Sequence, residues 1–129
     1  MRKKRLPKPS ERELEILRVL WDRGPSTVRE VHEILNEAEK RGYTTTLKFM
    51  QIMAEKGLVV RDESRWAHVY EAGVSEEAAH RRIVADLLDC AFAGSSQKLV
   101  LHALSAKKTS PEELREIRRI LDEMEGGGG

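Results

Sequence analysis

Between Tyr43 and Lys56 the chain gathers hydroxyls, a cation and an amide on one side of a single segment. In YTTTLKFMQIMAEK, a step of ~100° per residue puts Thr44, Lys48, Gln51 and Glu55 on one face and Thr46, Phe49, Met50 and Met53 on the other. The second face can be buried. The first carries groups that hydrogen-bond phosphate oxygens and base edges when a helix enters a major groove. Tyr43 opens the segment, and Thr44 or Thr45 suits its N-cap, which would aim free N–H groups and the positive dipole end at a phosphate. Farther on, Arg61 and Arg65 flank a polar turn from which they could touch an adjacent backbone or minor groove. Each reading has a plainer counterpart: a polar helix face that is only solvated, and edge arginines that only keep a strand soluble.

No second constellation competes. An enzyme needs a nucleophile with a base and an orienting group, or metal ligands at a workable spacing. Here His32, His68, His80 and His102 fall in different elements and Cys90 is the one cysteine. The chain is therefore not expected to be an enzyme or to carry a metal or cofactor. His80, beside Arg81 and Arg82, and His102, opposite an apolar stripe, read as surface residues. Cys90 borders an apolar stripe and reads as a small buried thiol. A single cysteine excludes an internal disulfide and suits a reducing cytoplasm. No apolar run approaches the ~20 residues that span a bilayer, and the start lacks the apolar core of a secretory signal. The expectation is a soluble, cytoplasmic protein without membrane insertion.

Charge is abundant, at 35% of residues, but the formal net charge is only +1, which excludes a histone-like polycation. Its distribution is uneven. Residues 1–72 hold 15 Lys and Arg against 12 Asp and Glu, whereas residues 73–129 hold 8 against 10, so the front half is the part suited to a polyanion. The opening RKKRLPK is either a phosphate-binding arm or a solvated leader.

The elements that must position the polar face follow in order. Ser10 and Glu13 form a capping box, and Leu14, Leu17, Leu20 and Trp21 give the helix an apolar stripe. Gly24 and Pro25 stop it, the glycine as a left-handed cap. Ser26 or Thr27 restarts a helix with Glu30 in its first turn and a stripe of Val28, Val31, Ile34 and Leu35, ending near Asn36. Two helices joined by a tight Gly-Pro corner suit a helix-turn-helix. The connection EAEKRG from Glu37 to Gly42 gives no boundary. After Gly57, Leu58 to Val60 and Trp66 to Tyr70 read as strands around the polar tip Asp62, Glu63 and Ser64. Trp66, His68 and Tyr70 share a strand face, either as a platform for stacked bases or, for Trp66 and Tyr70, as core. Three helices and a hairpin describe a winged helix.

Near Gly73 the composition shifts. Ile83, Val84, Leu87, Leu88 and Ala91 make one stripe, ended by Ala93 and Gly94. Leu99, Val100, Ala103 and Leu104 make a second, with Lys107 and Lys108 suiting the helix end. Ser110, Pro111, Glu112 and Glu113 start a last helix whose seam is Leu114, Ile117, Leu121 and Met124, with Ile120 alongside. So short a stretch cannot cover three apolar stripes, which suits pairing with a second copy. The fold class expected is mainly α with a small β-hairpin: an N-terminal winged helix-turn-helix domain over 1–72, a three-helix dimerisation domain over 75–125 and a flexible glycine tail over 126–129. Its dimer contacts are expected at Leu87, Leu88, Phe92, Leu99, Val100, Leu104, Leu114, Ile117, Leu121 and Met124. A winged helix that docks a protein partner instead of DNA remains the alternative function.

The order of elements, with YTT, EKGLVVRDE, RWAHVY, LLDCAFAGS and KLVLHALS, resembles the BlaI/MecI family of bacterial penicillinase repressors over nearly the whole chain. The resemblance implies a homodimeric transcriptional repressor on a palindromic double-stranded operator, before β-lactamase or related stress-response genes. It also implies release when a membrane sensor peptidase triggers cleavage in the dimerisation domain. The family's DNA-contacting positions fall on Thr44, Thr45 and Lys48, with Tyr43 opening the helix. Leu47 and Gln51 depart from the pattern, which leaves operator preference open. The family's cleaved Asn-Phe pair corresponds to His102 and Ala103, which puts induction by the same protease specificity in doubt. A copper-sensing branch uses tail cysteines, and none occurs in this tail.

Overall fold

A computed structural model describes residues 7–36, 42–64 and 67–127. Six helices and three strands run in the order α1 (Glu11–Arg23), β1 (Ser26–Thr27), α2 (Val28–Asn36), α3 (Tyr43–Lys56), β2 (Val59–Asp62), β3 (Val69–Ala72), α4 (Glu76–Phe92), α5 (Ser96–Ala106) and α6 (Pro111–Gly127). The class is mainly α with a small sheet, as the periodicities predict. Arg65 and Trp66, the connection over 37–41 and the start of the basic leader lie outside the described residues.

Two compact units divide the chain, Met1–Asp86 and Leu87–Gly129. The division falls later than the composition shift near Gly73. The reason is the packing of the first turns of α4: Ala79 is fully buried, the Trp21 ring meets His80 edge-on at 6.1 Å, and Trp21 Nε1–H donates to the Val74 carbonyl at 2.9 Å.

In the first unit the local signals do what their chemistry requires. Ser10 Oγ accepts from the Glu13 N–H and Glu13 Oε1 accepts from the Ser10 N–H, a reciprocal box that starts α1. Thr27 and Glu30 form a second such pair at the start of α2. The corner between them differs from expectation in one respect. Gly24 has φ 93° and ψ −168°, which is not the left-handed helical cap but an extended mirror-image conformation open essentially to glycine alone. That geometry turns the chain straight into β1, a strand of two residues that pairs antiparallel with β3, Ser26 opposite Tyr70 and Thr27 opposite Val69. The sheet is thus three-stranded, ordered β1-β3-β2, with β2 and β3 as the expected hairpin. β3 begins at Val69, so His68 lies just before the strand and is exposed rather than sharing a face with buried Tyr70.

The core consists of Ile16, Leu17, Val19 and Leu20 from α1, Val28 and Val31 from α2, Met50 and Met53 from α3, Leu58 just before β2, and Val59 and Tyr70 from the sheet. It takes a wider face of α1 than the expected stripe, because Ile16 and Val19 are buried while Leu14 is half-buried. On α2 the stripe is narrower than expected: Ile34 is exposed. Gly57 closes α3 in the left-handed conformation. Its N–H reaches the Ala54 carbonyl and the Leu58 N–H reaches Met53, the paired bonds of a Schellman cap that deliver Leu58 into the core.

In the second unit, Ala93 (φ 48°) and Gly94 (φ 82°) end α4. Ser95 and Ser110 cap α5 and α6 by accepting from Lys98 N–H and Glu113 N–H. Among the described residues of α5 and α6 none is buried. Leu87, Val100, Leu114, Leu121 and Met124 are exposed, while Leu88, Phe92, Leu99, Leu104 and Ile117 are half-covered. Leu101, outside the expected stripe, is the most open large apolar residue of α5 at 61%. At ~100° per residue α5 is apolar around roughly half its circumference. Cys90 is exposed, contrary to the buried thiol expected, because a stripe edge is covered only where something packs on it.

Candidate nucleic-acid interface

The outward face of α3 is built by what its inward face buries. Thr46, Met50 and Met53 point into the core at 7%, 0% and 0% exposure, which turns Thr44, Thr45, Lys48, Gln51 and Glu55 to the surface. Leu47 is half-buried against the core and is therefore a packing residue, whereas Gln51 is free to reach outward. The N-cap is Gly42, with φ −69° and ψ 148° and no side-chain bond to the first turn. Thr44 and Thr45 were the expected caps. They lie instead inside the helix, since a glycine without a polar side chain leaves no cap signal in the sequence. Their hydroxyls are consequently not committed to capping.

Two contacts fix the start of α3 against α2. His32 Nδ1 lies 3.3 Å from the Thr46 hydroxyl, and the His32 ring meets the Tyr43 ring edge-on at 5.8 Å. Tyr43 also carries a cation, with the Arg29 guanidinium over its ring, 5.0 Å from the centroid. Arg29 and His32 are the members of this cluster that side-chain spacing did not reveal, because they come from a different helix. At the far end, Lys56 Nζ donates to Glu13 Oε2 at 2.9 Å, tying α3 to the capping box of α1. Burial pushes the Glu13 carboxyl up, but the Ser10 N–H, the Lys56 ammonium and the Ser10 hydroxyl outweigh it and hold it below the ordinary glutamate value.

In the hairpin, Arg61 is on the exposed part of β2. The Tyr70 hydroxyl and Glu63 hold its charge, raising its pKa further, and its guanidinium lies 3.4 Å from Glu63. His68 Nε2 is 3.8 Å from the same carboxylate. Asp62 accepts from the N–H and hydroxyl of Ser64, closing the polar tip. An open groove runs between the first turns of α2 and α3 and the foot of β3, lined by Thr27, Arg29, Tyr43, Leu47, His68 and Tyr70. Among the described residues no three His, Cys, Asp or Glu side chains gather as metal ligands, and no helix is long and apolar enough to cross a membrane.

The profile of the penicillinase repressor family matches residues 9–123. The transcriptional regulator BlaI of Mycobacterium tuberculosis is 31% identical over 127 residues, spanning 97% of this chain and 91% of that protein. The penicillinase repressor of Bacillus licheniformis is 24% identical over 93% of this chain and 94% of its own length. Among solved structures, the DNA-binding domain of the repressor BlaI superposes with a TM-score of 0.51 at 22% identity, over 59% of this chain and 93% of that one. The Bacillus licheniformis BlaI monomeric form in complex with the blaP half-operator superposes equally well. A capped helix pair turned by Gly24 and Pro25, a third helix with a polar outer face, a wing and a helical tail, matched in sequence from end to end, make this chain a member of the penicillinase repressor family of winged-helix, DNA-binding transcriptional repressors.

Proposed function

We propose that the chain represses transcription as a homodimer on a pseudo-palindromic operator, with α3 as recognition helix, the wing beside it and residues 75–125 as the pairing surface. The observation that carries this is the division of labour on α3: Met50 and Met53 are wholly buried while Thr44, Lys48 and Gln51 stand exposed on the opposite face. Tyr43 and Thr45 complete the first turn, and Arg61, with Arg65 beyond the turn, serves the wing. The uncovered apolar residues of α4 to α6 supply the reason to pair. Bacillus licheniformis BlaI, seen on a half-operator, supports a palindrome read one half per copy.

Two recognition helices on a two-fold dimer enter successive major grooves about one helical turn apart. Selection from random duplexes should therefore return inverted repeats, and binding should weaken steeply as salt rises. Recovery of single asymmetric sites, or salt-insensitive association with a protein, would count against the reading. We assign relief of repression to a proteolytic pathway triggered by a membrane sensor peptidase. His102 and Ala103 stand at the cleavage position, both exposed on α5, and a pair so unlike Asn-Phe calls for a protease of different side-chain preference. β-Lactamase or other stress-response genes are the proposed targets.

A further inference from the structure

Ten lysines and arginines are described between residues 7 and 86. Seven lie within ion-pair distance of a carboxylate. Among the described residues of this stretch, Arg18, Arg29 and Lys48 have no such partner. A cation already beside a carboxylate gains little from a phosphate, since one ion pair is exchanged for another; an unpaired one gains the whole interaction and releases the counterion of the phosphate. Lys48 is the cation of the recognition face. Arg29 lies on α2, yet it is held at the same place, over the Tyr43 ring that opens α3.

That stacking is directional. A guanidinium over an aromatic face keeps its N–H edges free for a bidentate contact, and the ring restrains a side chain that would otherwise lose its rotamer freedom on binding. Tyr43 is itself restrained by a T-shaped contact with the His32 ring. The open groove beside it, lined by Thr27, Arg29, Tyr43, Leu47 and His68, has no carboxylate among its described lining residues.

We infer that this groove seats one sugar-phosphate strand of the DNA, with Arg29, carried on the Tyr43 ring, as a sequence-independent phosphate clamp supplied by α2. The inference rests on the reading of α3 as the recognition helix and adds a contact that the helix itself does not contain. It assigns Tyr43 a positioning role, acting through Arg29 rather than on a base.

The test uses the full-length protein, a labelled random-sequence duplex and an operator selected with the wild-type chain. Arg29→Gln should weaken both duplexes by the same factor and lower the slope of log affinity against log salt by about 1. The advantage of the wild type should thus shrink roughly 3.5-fold between ~50 and ~200 mM salt. Arg29→Lys should restore the slope. Tyr43→Phe should behave as wild type, and Tyr43→Leu should lose affinity non-additively with Arg29→Gln. If Arg29→Gln binds like the wild type, loses affinity at constant slope or changes only sequence preference, the clamp is wrong. In that case Lys48→Ala would still impair binding and the recognition helix would stand. Absence of salt-dependent binding by the wild type to either duplex would instead sink the repressor reading and the clamp with it.

Discussion

Lys48 and Thr44 share an exposed face but not a job. Lys48 sits one turn into α3 on the exposed face, where the proposed docking would bring it to either a phosphate or a guanine edge. If it neutralises a phosphate, Lys48→Ala weakens every sequence alike and lowers the salt slope by about 1; if it reads a base, discrimination at one position falls by ~1–3 kcal/mol. Thr44, exposed in the first turn, is proposed to meet a phosphate, so Thr44→Ala should lower affinity without changing preference. Titrations against operator and scrambled duplex at two salt concentrations separate these outcomes, and no effect from either variant would remove α3 from the interface. Glu13 offers a test of stability instead. Its folded pKa is lowered, so its contribution is present above the unfolded value near 4.5 and is lost as pH falls through the lower folded value. Glu13→Gln keeps an acceptor for the Ser10 N–H but loses the pair with Lys56, for a cost of ~1 kcal/mol at neutral pH. It should also flatten the acid dependence. Both tryptophans lie in the first unit, so urea unfolding followed by their fluorescence at pH 7 and pH 4 reads this unit. Equal loss by variant and wild type on acidification would contradict the linkage.

At the scale of elements, glycine geometry ranks two substitutions. A Cβ at Gly24 or Gly57 meets nothing within 4 Å, so any cost is in the backbone. Gly57 is left-handed helical, which alanine tolerates for ~1–2 kcal/mol and asparagine for less. Gly24 occupies a region open essentially to glycine, so Gly24→Ala should cost ~1–3 kcal/mol and exceed Gly57→Ala, as fluorescence-detected unfolding would show; the reverse order would mean that the corner relaxes. The same pair explains what could be read in advance. Ser10 and Ser110 announced their helices because a cap is a local bargain between a hydroxyl and N–H groups within the next turn. The bounds of α3 follow the sequence, but its N-cap does not, because Gly42 makes no such bond. β1 was invisible, since Ser26 and Thr27 become a strand only when β3 arrives more than forty residues later to pair with them. The alternation of α3 was legible because burial of Thr46, Met50 and Met53 follows their spacing; the Arg29, Tyr43 and His32 cluster was not, because two helices must first be docked to assemble it.

On the scale of the whole molecule, the apolar stripes of α4 to α6 lie uncovered, and the division of the chain falls later than the shift in composition. The first turns of α4 belong to the winged-helix unit through Trp21, Val74 and Ala79, contacts that a shift in residue content cannot register. The pairing surface is testable directly. Leu121, half exposed, and Leu104 sit on the proposed seam, and Leu121→Asp or Leu104→Asp would bury a lone carboxylate at a cost of several kcal/mol, comparable to a micromolar association. Sedimentation equilibrium should then show monomer where the wild type is dimeric; an unaltered dimer would move the interface elsewhere. The openness of α5 and α6 also bears on dose. If, as proposed, the second unit completes its core by pairing, the dimer population rises, below its dissociation constant, with the square of the chain's concentration. Operator occupancy then inherits that square. Halving the supply of intact chains would cut the dimer to about a quarter in this regime, so a modest loss of protein, by cleavage or by dilution at cell division, would open the promoter far more than in proportion.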